Sequence, residues 1–167
     1  MVVEKRAGTV KRPLDLRGVS YGSPAAIVTS MALIVGLQAA TASKAAVIGS
    51  LLIIGIADNL TDSLSVHIYQ ESERMAERRA LTTTLTNFVA RLAVACSFIL
   101  LFLLASESLA IWLCVIWGFV LLSALSYFLA KARNAAPISE MVKHSGVAVV
   151  VIFISRAVGL WIQLLMR

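Results

Sequence analysis

Charged residues are scarce in this chain of 167 residues, where Asp, Glu, Lys and Arg together make up 14%. Such a chain has too little polar surface to cover a soluble domain of its size, since ordinary domains carry about 25% charged residues. Cysteine is scarcer still. Its two representatives, Cys96 and Cys114, both lie in apolar stretches, which argues against a disulfide framework or a thiolate metal pair and for small buried hydrophobes. The chain also lacks a His-Glu-x-x-His pair, a phosphate-binding glycine loop and any nucleophile-and-base spacing, so it is not read as an enzyme. Short alternating segments of the kind that build membrane barrels are absent too.

What the chain does have is apolar length. Hydrophobic residues make up 59% and the mean hydropathy is +0.88. A spanning helix needs about 20 mostly apolar residues, and five runs qualify, at about 24–41, 45–69, 85–105, 109–130 and 147–166. The expected fold is therefore all-α, an integral membrane bundle of five transmembrane helices. It occupies 23–167 as one domain, preceded by an N-terminal arm at 1–22. That arm is too long, too polar and too poor in cleavage-site features for a signal peptide. The Gly22-Ser23-Pro24 sequence reads as the start of helix one.

The formal charge of +6 is placed where it orients the bundle. Lys5, Arg6, Lys11, Arg12 and Arg17 precede the first run, Arg74, Arg78 and Arg79 follow the second, and Lys131, Arg133 and Lys143 separate the fourth and fifth. With five spans these segments share one side, which the positive-inside rule makes cytoplasmic. The N-terminus is then inside and the C-terminus outside, and nucleic acid is not an expected partner. The bilayer is. The segment 70–84 alternates Glu and Arg without Gly or Pro and is expected to carry helix two into the cytoplasm. It reads either as a solvated charged helix or as a cation-collecting face formed by Glu71, Glu73 and Glu77.

Four charges fall inside the spans: Asp58, Asp62, Arg91 and Arg156. Each costs roughly 2.5–3.5 kcal/mol at the bilayer centre on insertion scales, so mutual neutralisation is expected. Depth along the helices pairs Asp58 with Arg156 and Asp62 with Arg91. At about 100° per residue, Asp58, Asp62, Ser65 and Tyr69 form one stripe facing the bundle interior or a partner subunit. Leu60, Leu64 and Ile68 face elsewhere, and His67 lies nearly opposite Asp58. Asn59 and Ser65 could assist the aspartates as metal or proton ligands. Small residues such as Gly36 and Ala40 permit close helix contacts.

The stretch from Asp62 to Glu73 resembles a motif of the vacuolar iron transporter family, in which helix two ends in Gly-Glu-Tyr-x-Ser-Val, followed by Asp/Glu-Ser-Glu. Ser65, Val66, Ser72 and Glu73 match, and Asp62 stands in place of the glutamate. The run from Ile27 through Gly36 is similar to the family's first helix. The resemblance implies a homodimer that exports Fe²⁺ or Mn²⁺ from the cytoplasm in exchange for protons, with a path lined by helices at the subunit interface. The expected location is a prokaryotic inner membrane, and no bound cofactor is expected beyond the transported ion. This chain departs from the pattern in three ways. Ala25 stands where the family has an aspartate, Arg156 stands where it has a tyrosine, and the large cytoplasmic metal-binding domain is reduced to 70–84. Two readings stay open: a proton-coupled divalent metal transporter using Asp58 and Asp62, or a non-transporting accessory subunit whose acids are neutralised by Arg91 and Arg156.

Overall fold

A computed structural model of the chain describes residues 16–166, with side chains from residue 22 onward. Among the described residues it is all helix. Helix α1 runs Leu16–Ala39, α2 Lys44–Ile53, α3 Asn59–Ser72, α4 Glu77–Leu104, α5 Glu107–Ala132 and α6 Pro137–Leu165. A π-helical turn, Ile54–Asp58, joins α2 to α3 without a break, so Lys44–Ser72 forms one helical span. Among the described residues five helices are thus long and apolar enough to cross a membrane. The part of the expected N-terminal arm before residue 16 lies outside the described residues.

Two expected boundaries move. Helix one begins by Leu16, and Pro24 sits inside it, not at its opening. Pro24 gives up the N–H that would reach back a turn, and the helix nevertheless runs through it. Segment 70–84 is not one continuous helix. Helix two stops at Ser72, the chain reverses through Arg74 at φ 53°, and Glu77 opens α4. The left-handed residue lets the Met75 N–H close on the Gln70 carbonyl at 3.2 Å, as in the usual helix C-terminal motifs.

The bundle is built around α1, which packs on α4, α5 and α6. Glycine makes the contacts with α5 and α6 close. A Cβ at Gly118 of α5 would meet Met31 Sδ at 2.1 Å, and one at Gly159 of α6 would meet the Gly36 carbonyl oxygen at 2.2 Å. The Gly36–Gly159 crossing is the small-residue contact that membrane helices use, because lipid supplies no hydrophobic drive for their association. It answers for Gly36 within a single chain. Large apolar side chains such as Phe153, Trp112 and Leu164 point outward, the arrangement a hydrocarbon solvent favours.

The π-helical turn has a geometric purpose. Val47, Leu51, Gly55, Asn59 and Ser63 are all buried, at intervals of four. In an unbroken α-helix every such step drifts about 40°, which would set Val47 and Ser63 about 160° apart. The wider turn absorbs part of that drift and keeps both α2 and α3 against α4. At the opposite end, Lys44 Nζ donates to the carbonyls of Leu103 (3.1 Å) and Ala105 (2.9 Å), closing the last turn of α4.

Gly159→Ala is expected to lower resistance to unfolding in mixed micelles by about 1–3 kcal/mol, the usual cost of overpacking. Gly49→Ala, where an added Cβ meets nothing within 4 Å, is expected to leave stability unchanged or raise it by up to about 1 kcal/mol.

Candidate functional site

The site forms where α1, the π-helical turn, α3 and α4 meet. Arg91 projects from α4 and is nearly enclosed, its side chain 7% exposed. Its Nη2 lies 2.8 Å from Asp58 Oδ2 and its Nη1 lies 3.1 Å from Asp62 Oδ2. Nη1 also donates to the Gly22 carbonyl of α1 at 3.2 Å. One planar guanidinium therefore spans two carboxylates set one turn apart, which a lysine could not do with the same geometry. Asn87, a turn earlier on α4, donates through Nδ2 to Asp62 Oδ2 and to Ser63 Oγ, each at 3.4 Å.

Gly22 is required for this closeness. A Cβ there would lie 2.4 Å from Asn87 Oδ1 and 2.5 Å from Arg91 Cδ. Beside the cluster is a cavity of about 10 Å³, lined in part by Thr29, Ser30, Asp58, Asn59 and Arg91. That is room for roughly one water centre. Asn59 is buried on the α4 side and donates through Nδ2 to the Phe88 carbonyl at 2.9 Å.

The expected pairing of Asp62 with Arg91 is present, but that of Asp58 with Arg156 is not. Arg91 takes both acids. Arg156 is exposed on α6 and has no ion-pair partner among the described residues. The cause is azimuth and depth together. Helix α6 packs on α1 and α5, and Ser155 sits against Gly36. Gly36 is two turns further along α1 than Thr29 of the cavity, roughly 10 Å of rise.

The stripe of Asp58, Asp62, Ser65 and Tyr69 does share a face, but it does not face the interior of this chain. The Asp58 and Asp62 side chains are 55% and 39% exposed, and Ser65 and Tyr69 are exposed as well. The interior face of α3 is instead Asn59, Ser63 and Gln70. Ser65 Oγ donates back to the Thr61 carbonyl at 3.0 Å and is not brought to the cavity. Glu71, Glu73 and Glu77 are exposed around the α3–α4 turn, and Glu71 is about 13 Å of helix rise from Asp62. Glu71 Oε1 meets His67 Nε2 at 3.4 Å. The structure thus separates these glutamates from the acid pair.

Among the described residues no three His, Cys, Asp or Glu side chains gather as a metal-holding group. The oxygens near the acids come from Thr29, Ser30 and Asn59, not from further carboxylates. Ala25, at the position of the family's first-helix aspartate, is exposed next to Ala26 of the cavity wall. Sequence reasoning missed Gly22, Ser63 and the π-helical turn. Asn87, one turn from Arg91, carries the most direct signal in the sequence. No family model, curated protein or solved structure matches the chain.

Arg91→Met leaves two carboxylates without their base and is expected to cost about 3–5 kcal/mol of stability, as for other broken buried pairs. Asp58→Asn should cost clearly less, because Asp62 still holds Arg91. Adding Asp58→Asn and Asp62→Asn to Arg91→Met should recover most of the loss. Unfolding in lipid–detergent micelles checks the order, and an Arg91→Met chain as stable as Asp58→Asn would contradict it.

Proposed function

We propose that this chain is a transporter-like membrane protein that moves a divalent metal ion, Fe²⁺ or Mn²⁺, in exchange for protons. Asp58 and Asp62 are the groups that carry the exchanged species. The observation behind this reading is a charge imbalance: two carboxylates share one guanidinium at 2.8 and 3.1 Å, leaving one negative charge unmatched. Arg156 lies on another helix and does not restore neutrality to this site. An unmatched carboxylate inside a bilayer is an expected feature of ion and proton pathways.

The neighbouring oxygens suit the same cargo. Hydroxyl and amide oxygens of Thr29, Ser30 and Asn59 are hard donors of the kind that carboxylate-bound divalent ions accept. The resemblance of 62–73 to the vacuolar iron transporter motif supports the same class of cargo. It also supports a homodimer, in which a second copy covers the open flank of Asp58. The concentration of Arg and Lys at the α3–α4 and α5–α6 connections supports a cytoplasmic placement of that end.

The second reading, an accessory subunit, is favoured by the completeness of the Arg91 bridge. A carboxylate held by arginine is a weaker cation ligand. The two readings part in proteoliposomes. The wild type is expected to take up Mn²⁺ or Fe²⁺ under a pH gradient, and Asp58→Asn and Asp62→Asn should each fall to the empty-vesicle background. Absence of flux in the wild type under gradients of both signs would overturn transport. Asp58→Asn that lowers only the yield of assembled protein would favour the accessory role.

A further inference from the structure

The packing of the second span against α4 is divided along its length. On the α2 side of the π-helical turn everything buried is apolar: Val47, Leu51, Ala95, Phe98 and Phe102. On the other side, toward the α3–α4 turn, it is largely polar: Asn59, Ser63, Gln70, Thr83, Asn87 and Arg91 are all buried. Several atoms of this polar half have no hydrogen-bond partner in the protein. They include Asn59 Oδ1, Asn87 Oδ1, Gln70 Oε1, Thr84 Oγ1, His67 Nδ1 and Arg91 Nε.

These atoms recur at helical steps. On α4, Arg91, Asn87 and Thr84 succeed one another at four and three residues; on α3, Asn59, His67 and Gln70 follow at eight and three, with Ser63 between them accepting from Asn87 Nδ2 at 3.4 Å, and that contact within the α3–α4 packing joins the two series in one seam. It extends from the acid pair to the α3–α4 turn, about 10 Å of rise between Arg91 and Thr84. Turning the amides over does not remove the unpaired oxygens. A reversed Asn59 would set its oxygen against the Phe88 carbonyl that its Nδ2 now reaches at 2.9 Å. A reversed Asn87 would set its oxygen against the Asp62 carboxylate. Three buried amide oxygens that need donors, beside a guanidinium Nε–H that needs an acceptor, match water in both roles. Hydrocarbon offers neither.

We propose that the α3–α4 seam holds a file of ordered water that links the α3–α4 turn to Asp62 and Asp58, and that the apolar packing beyond Gly55 and Ala95 closes it on the other side. In this conformation the aspartates then exchange protons with one face of the membrane only, and carrying a charge across requires the apolar side to open in turn. Gly55 and Ala95 mark the boundary, where a Cβ on the glycine would stand 3.0 Å from the alanine Cβ. The cavity of about 10 Å³ between Asn59 and Arg91 is the last water position of the file. The water file rests on the role proposed for Asp58 and Asp62, but it is read out without any flux.

The test is magnetisation transfer from water in solid-state NMR of the wild-type protein in bilayers, with Asn and Gln labelled on their side chains and Phe on its backbone nitrogen. The side-chain amides of Gln70, Asn87 and Asn59 are expected to receive signal from water at least about tenfold faster than the backbone amides of Phe98 and Phe102. Equal, slow transfer at both sets would overturn the proposal. Gln70→Leu is expected to slow transfer at Asn87 by about tenfold, as when a well-held water is displaced. Unchanged transfer at Asn87 in that variant would overturn the route from the α3–α4 turn. A wet seam in a protein without metal flux upholds the water file and removes only the transport reading, whereas flux with a dry seam does the reverse.

Discussion

A guanidinium that is almost sealed from its surroundings must keep its partners, and Arg91 keeps three: Asp58 at 2.8 Å, Asp62 at 3.1 Å and the Gly22 carbonyl at 3.2 Å. In a low-dielectric setting the attraction is strong, yet it is set against a large desolvation cost. The intact group therefore adds little net stability, while the loss of one member is strongly destabilising. That asymmetry ties α1, α3 and α4 into a unit. Gly22 admits the arginine to α1, Asn87 steadies Asp62, and the π-helical turn brings Asp58 to the right point on the helix.

The remaining packing is arranged so that this unit stays near the surface of the chain. Helix α1 is gripped by α5 through Gly118 and by α6 through Gly159, which puts α6 and its Arg156 away from the acids. The side of Asp58 and Asp62 not occupied by Arg91 is open. The second carboxylate holds another part of the Arg91 guanidinium and leaves a net negative charge beside that open flank. The polar seam between α3 and α4 and its apolar continuation past Ala95 then give that site two chemically different sides.

Much of this was legible in the sequence because the bilayer constrains it. Span length and continuous hydrophobicity located five helices. The cost of a lone charge in hydrocarbon predicted that Asp62 and Arg91 would meet, and the 100° wheel correctly grouped Asp58, Asp62, Ser65 and Tyr69. The misses concern what a wheel does not encode. Depth alone pairs Arg156 with Asp58, but the side of α1 that α6 occupies goes with the Gly36–Gly159 contact between distant residues. The local sequence at Pro24 resembles a helix start, while the helix continues through it. No residue between Ile54 and Asp58 announces a π-helical turn. Its trace in the sequence is indirect: apolar and then polar residues at intervals of four from Val47 to Ser63.

The central claim is that one of the two acids holds a charge that Arg91 does not cancel. Charge displacement on a supported membrane measures that directly. When Mn²⁺ or a pH step is applied to wild-type proteoliposomes, a transient current from binding at Asp58 and Asp62 is expected. The current should vanish in the Asp58→Asn, Asp62→Asn double variant. A current that survives intact in that variant, or none in the wild type, would contradict it.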